Sequence, residues 1–505
     1  MLFSSQTNPS LNDISLPSSW KRTAVLAEAS SQTLPVETTS CASETTCCVS
    51  MQIQTDPEPV VPASLTPSAS DLPFLVSFLS RVESDMSAIL LQNIKSTAFH
   101  GYTVKWEDEI DSVSCLATFE HPHRSPGSWC TDLAWNNTGS TIATSYGRMD
   151  HASWCSHKGM ICTWNISMRD LSSESFSFTA ETTSCLMTIA FHPEIPSLIA
   201  GGAFNGEIII WSTANPQDPV VSISLSSDLT HQEPVSKVIW IPSTTIRGKF
   251  DLMSVGNDGK VLVWGTDKYH MTPRNISQIM LSNIPKKIRL NTTAPNMDSP
   301  VGITSFSVSK HMPQEYILGT ESGHIIKCTT TSAVEISSKQ KEVVGRLPNP
   351  VVFAYSSHVG PVQTIIHSPF HRNLFLSCGS DGSLRLYNQL QFKHVLMWEP
   401  SDHPLCSVDW SPFRRTVFSG TTQDGDIHFY DLAVSHGIPV ATIHATESAH
   451  KDALIGRFNH RRPEFYASGD GEGHVKIWRL STLLMRGVDG ANLYDEQILE
   501  KLGLA

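Results

Sequence analysis

Short apolar runs separated by glycine-centred turns recur along most of this chain in a fixed register. The stretch Ser377-Cys-Gly-Ser-Asp-Gly-Ser-Leu-Arg-Leu-Tyr387 shows the unit. Alternation places Leu384 and Leu386 on one face of a strand. Asp381-Gly382 between two apolar runs predicts a tight hairpin, because such a turn needs positive φ and glycine adopts it without steric cost. The pattern returns at Ser254–Trp264, Ser419–Tyr430 and Ala467–Trp478. Trp164, Trp211, Trp264, Cys328, Tyr387, Tyr430 and Trp478 each close an apolar strand, with a glycine five positions earlier at Gly159, Gly206, Gly259, Gly323, Gly382, Gly425 and Gly473. Upstream of each lies another strand, closing on Trp135, Phe191, Trp240, Phe306, His367, Trp410 or Phe458.

Units of roughly 43 to 64 residues, each with several short strands, predict an all-β chain folded as a seven-bladed β-propeller. The propeller is expected over residues 113–482. Extra residues fall between Ser145 and Gly159 in the first unit and near Ser243 to Lys249 in the third, both at loop positions. A ring also needs a joint between its first and last blades. No strand follows Trp478 in an obvious way, so Val113–Phe119 is expected to supply the outer strand of the last blade. Residues 483–505 form a C-terminal tail, with a short helix expected over Val488–Leu504.

Before the repeats the pattern changes. Residues 1–70 are rich in Ser, Thr, Pro and Gln without a sustained apolar period, which predicts a tail disordered on its own. Within it, Ile53, Gln54 and Thr55 begin a short extended-compatible run stopped by Pro57 and Pro59; it is either a linker or a strand that adds to the edge of a partner's sheet. Over 71–98, Leu75, Phe78, Leu79, Val82, Met86, Ile89 and Leu90 follow helical spacing, so one amphipathic helix is expected there. Asp71 can cap it and Pro73 is tolerated in its first turn. Its apolar face either packs on the propeller wall or fills a partner's groove. Residues 99–112 read as a linker.

Charge narrows the partners. A formal net charge of -12 and a pI near 5.9 disfavour a nucleic-acid surface, which needs a basic patch. No apolar run approaches the twenty residues of a membrane span, so no membrane insertion is expected. The first residues carry no secretory signal pattern. The eleven cysteines are irregularly placed, which fits a reducing compartment better than a disulfide scaffold.

Candidate chemistry is sparse. His358, Ser377 and Asp381 suggest a triad, with Tyr387 flanking. The same scheme returns at His403, Ser419, Asp424 and Tyr430, at His450, Ser468, Glu472 and Trp478, and at His231, Ser254 and Asp258. An active site occurs once, so a device present in four units is read as a structural hydrogen-bond tetrad. The first-unit insertion carries His151, Cys155, His157 and Cys162, but this spacing matches no common closed zinc site and no metal is assigned. No nucleotide fingerprint or nucleophile elbow is present, so neither catalytic residues nor a cofactor is expected.

Residues 113–482 resemble WD-repeat propellers, with Tyr430-Asp431 as a degenerate Trp-Asp ending. The order of short motif, helix and propeller resembles the dynein intermediate chains. Arg81-Val-Glu, His100-Gly-Tyr-Thr-Val-Lys-Trp106 and Tyr146-Gly-Arg-Met-Asp-His-Ala-Ser-Trp-Cys155 look most like the dynein-2 branch and its smaller intermediate chain. The resemblance implies a non-catalytic subunit whose propeller binds the dynein-2 heavy chain, alongside a second, different intermediate chain. It implies that Ile53, Gln54 and Thr55 match the core of a light-chain-binding peptide, and that the helix receives a roadblock-class light chain. It further implies a place in the cytoplasm, the cytoskeleton and the cilium, at axoneme and basal body, in retrograde intraflagellar transport and cilium assembly. The alternative is a WD-repeat scaffold or substrate receptor in a ubiquitin-ligase or chromatin complex.

Overall fold

The structure is a computed structural model that describes residues 72–95 and 112–486, apart from 126, 149, 152, 153, 156, 168–171, 173, 174, 245, 267–269, 286–297, 331–333, 336–346 and 446–452. Two compact units divide the chain near Thr103. In the first, helix α1 spans Leu72–Lys95. Pro73 falls in its first turn, where a missing N–H costs nothing because that donor has no intrahelical acceptor. Asp71, proposed as its cap, lies outside the described residues.

The second unit is built from antiparallel strands. Strand β1 (Ser114–Phe119) precedes a first sheet of β2 (Trp129–Trp135), β3 (Thr141–Gly147), β4 (Gly159–Asn165) and β5 (Phe176–Thr182). Next come β6 (Leu186–Phe191), β7 (Leu198–Ala203), β8 (Ile208–Ser212) and β9 (Val220–Ser224), then β10 (Val235–Pro242), β11 (Phe250–Gly256), β12 (Lys260–Thr266) and β13 (His270–Gln278). The following sheet is β14 (Ile303–Val308), β15 (Glu315–Thr320), β16 (Ile325–Thr329) and, after the two-residue β17 (Val334–Glu335), β18 (Val351–Ala354). Then follow β19 (Val362–His367), β20 (Leu374–Gly379), β21 (Leu384–Asn388) and β22 (His394–Trp398), and β23 (Leu405–Trp410), β24 (Val417–Thr422), β25 (Asp426–Asp431) and β26 (Ala441–His444). The last set is β27 (Ala453–Phe458), β28 (Phe465–Asp470) and β29 (Val475–Arg479), ending in α2 (Thr482–Arg486).

These strands form an all-β propeller of five four-stranded sheets and one nine-stranded sheet. Seven separate blades are therefore not what the hydrogen bonding draws. Two of the expected blades are continuous, because the long strand β13 extends far enough to pair in parallel with β9, His270 beside Ile223 and Met271 beside Ser224. The last set is completed by β1, which pairs antiparallel with β29, Cys115 opposite Trp478 and Phe119 opposite Val475. Phe119 is fully buried and stacks on Trp164 of the first sheet, centroids 5.4 Å apart.

Strands β2, β6, β10, β14, β19, β23 and β27 touch one another in succession and β27 returns to β2, closing a ring around a cavity of about 890 Å³. Each slips register near its start, as between Cys130 and Asp132 or Val235 and Lys237. A bulge re-aims the skipped side chain. Here it turns hydroxyls toward the neighbouring strand: Thr131 donates to the Leu186 carbonyl at 2.7 Å, and Ser236 donates to that of Ile303 at 2.5 Å. Apolar side chains fill the space between sheets; one cluster joins Phe119 and Ile477 of the last set to Leu133 and Trp164 of the first.

Candidate functional site

The repeated hairpin sets up the most ordered polar groups. Gly382 has φ +73°, and Gly323 at the equivalent turn has +84°, where an added Cβ would also collide with the His358 carbonyl. Only glycine serves both demands. Gly159 keeps the sequence register but opens β4 directly, because the insertion before it replaces the tight turn.

The turn after β20 delivers Asp381 to His358, whose Nδ1 lies 3.0 and 3.1 Å from the two carboxylate oxygens. A carboxylate only accepts, so Nδ1 donates, and Nε2 accepts from the Ser377 hydroxyl at 2.7 Å. Burial opposes ionisation of Asp381, but the hydrogen bond from His358, with those from the Ser383 hydroxyl and the Val359 N–H, holds the carboxyl below its ordinary range. Burial likewise lowers the pKa of His358 and keeps the ring neutral. His231 repeats this order, with Asp258 at 3.1 Å and Ser254 at 2.8 Å. Both sets have the connectivity of a serine-hydrolase triad. A nucleophile must also be reachable, and Ser377 and Ser254 are fully buried.

Fourth members differ in detail. Trp264 and Trp478 donate their indole N–H to Ser254 and Ser468, each at 2.8 Å. Tyr387 instead donates to the Ser356 carbonyl at 2.8 Å, because its hydroxyl sits at the far end of the ring and reaches past Ser377. The structure does not bring His403 and Ser419 together. His403 is exposed and meets Asp424 at 3.2 Å, while Ser419 pairs with the Tyr466 hydroxyl of the next set at 3.1 Å. Tyr430 stacks on Phe418, and burial pushes its hydroxyl up to about 12. His450 and Ile53, Gln54 and Thr55 lie outside the described residues.

On α1, Leu75, Phe78, Leu79, Met86, Ile89 and Leu90 are exposed and Val82 is half-buried. Phe74 is 78 % exposed and Leu91 is exposed beside the stripe, so the apolar surface is wider than the spacing rule selects.

One constellation escapes sequence reasoning. Asp132 on β2 is buried, 2.6 Å from Lys237 Nζ on β10 and 2.8 Å from the Thr188 hydroxyl on β6, with Arg457 of β27 at 3.7 Å. Burial disfavours the charged carboxylate, yet Lys237 and Arg457 outweigh it and hold Asp132 below its ordinary pKa. The only signal in the sequence is an aspartate within an otherwise apolar strand; its partners come from three distant repeats. The arrangement ties four inner strands together, and Asp132, Lys237 and Arg457 line the central cavity.

Comparison with known proteins follows this geometry. The family model described as WD domain, G-beta repeat matches residues 349–388 and 393–431. Over 473 residues the chain is 35% identical to cytoplasmic dynein 2 intermediate chain 2 of Mus musculus, covering 93% of this chain and 87% of that one. The Homo sapiens counterpart is 35% identical over 420 residues, 82% of this chain and 77% of its own. Dynein intermediate chain 3, ciliary, of Heliocidaris crassispina is 23% identical over 346 residues, 64% of this chain and 52% of that protein.

Proposed function

Because the chain belongs to the dynein intermediate chain family, we propose that it is a non-catalytic intermediate chain of a cytoplasmic dynein-2 motor, its propeller gripping the heavy-chain tail. The observation that carries this reading is the 35% identity extending over 93% of the chain, well beyond the stretch of WD repeats that the family model matches. The merged nine-stranded sheet counts as two blades in this reading, giving seven inner strands around the channel. Such a ring offers a rigid surface whose triad-like serines, Ser254 and Ser377, are buried, which suits a scaffold.

The N-terminal side would carry the light chains. The exposed face of α1, from Phe74 to Leu91, offers an apolar stripe for a roadblock-class light chain. Ile53, Gln54 and Thr55 would add as a strand to a second, dimeric light chain. Paired light chains would crosslink this chain to a second, different intermediate chain and hold two motor tails at high effective concentration. The assembly would act in retrograde intraflagellar transport and cilium assembly, between cytoplasm, basal body and axoneme. Affinity purification of the intact chain from ciliated cells tests this. Recovery of a dynein heavy chain with light chains is expected; recovery of ubiquitin-ligase or chromatin subunits instead would overturn it.

A further inference from the structure

The insertion between β3 and β4 carries His151 and Cys155, and both reach Cys185, which stands just before β6 at the start of the next set of strands. A ring nitrogen of His151 and the sulfurs of Cys155 and Cys185 lie within 4.8 Å of one another. We propose that these three residues bind a zinc(II) ion that staples the insertion to the neighbouring strands, a role independent of motor assembly.

Several observations converge on a cation with soft-ligand chemistry. Both ring nitrogens of His151 are buried with no hydrogen-bond partner, a cost of about 1–3 kcal/mol per orphaned group, and a metal bond would relieve one of the two. The ring is held in place by Phe204, 4.2 Å away between centroids. Cys155 and Cys185 are buried, and the Arg148 N–H donates to Cys185 Sγ at 3.3 Å, the kind of outer bond that steadies a metal-bound thiolate. The loop itself is pinned where Arg148 pairs with Asp150 at 2.7 Å. Two thiolates and an imidazole select zinc over magnesium or calcium, which prefer oxygen. Tetrahedral zinc takes a fourth donor, which water or His157 would supply; the His157 ring stands 5.6 Å from that of His151. Spacing along the chain hides the site, because it points to Cys162, whose side chain packs into the first-sheet core instead.

The test uses the full chain, purified without chelator and without a polyhistidine tag. Zinc by mass spectrometry should stand near ~1 per chain, as for a structural site. Chelation should lower the melting temperature and added zinc should restore it. Cobalt(II) added to the chelated chain should give thiolate charge-transfer absorption, lost in Cys155→Ser and Cys185→Ser and kept in Cys115→Ser, which changes an exposed thiol. If the serine variants do not fold, the cobalt spectrum of the unaltered chain decides alone. Absence of that absorption, zinc retained by both serine variants, or a disulfide between Cys155 and Cys185 in the freshly purified chain would overturn the proposal.

Discussion

His358 and His403 hold corresponding places in successive repeats, yet one ring is buried between Ser377 and Asp381 and the other is 59% exposed. Replacing His358 with alanine orphans the buried Ser377 hydroxyl and takes one of several donors from Asp381, and should cost about 1–3 kcal/mol. His403→Ala should stay within about 0.5 kcal/mol, as for surface changes generally. Urea unfolding of the two variants side by side checks this, and equal losses would contradict it. Buried histidines also set an acid limit. An unfolded histidine takes its proton near 6.5, whereas burial, with Lys327 nearby, pushes folded His367 down to about 3. Between these values the unfolded chain binds more protons, so stability falls on acidification, by up to about 1.4 kcal/mol per pH unit from this residue. His367→Gln should flatten that slope below pH 6.5; an unchanged slope would show that other groups set it. Ser377 and Asp381 were legible as partners of His358 because both sit within one repeat, whereas the reach of Tyr387 to the Ser356 carbonyl was not. Ser419 with Tyr466, and Asp132 with Lys237, were not, since each bond crosses between repeats whose facing registers only the closed ring defines.

At the scale of elements, strand β1 is the joint of the ring, and Phe119 is its fastener. Phe119→Ala removes a fully buried ring stacked on Trp164 and should cost about 3–5 kcal/mol, read as a lowered unfolding midpoint. A loss below about 0.5 kcal/mol, the range of surface changes, would mean that the clasp is not under load. The helix carries a different expectation. Paired substitution Phe78→Asp and Leu79→Asp puts charge in the exposed stripe and should abolish co-purification of a roadblock-class light chain while the β circular-dichroism signal persists. Retention of the light chain would place its site elsewhere. Helix α1 and the strands of the repeats were readable from apolar spacing and turn glycines; α2 was not expected, and the helix expected over Val488–Leu504 lies outside the described residues. The parallel contact between β9 and β13 was not, because it depends on how far β13 runs past its own hairpin, and no residue pattern marks that length.

Across the whole molecule, six repeated glycine turns and one insertion make a single ring of strands, and the unrepeated parts of the sequence are α1, the insertion before β4 and the tail. Fold class was legible because repetition multiplies a weak local signal. The zinc-compatible cluster was only half visible, since Cys185 comes from a different repeat than His151 and Cys155. In the proposed reading the ring and the helix take different partners. The most direct test is quantitative co-purification from ciliated cells of the full chain and of a truncation lacking residues 1–98. The account predicts that the truncation keeps the heavy chain and loses the light chains. Loss of the heavy chain with light chains retained would contradict it.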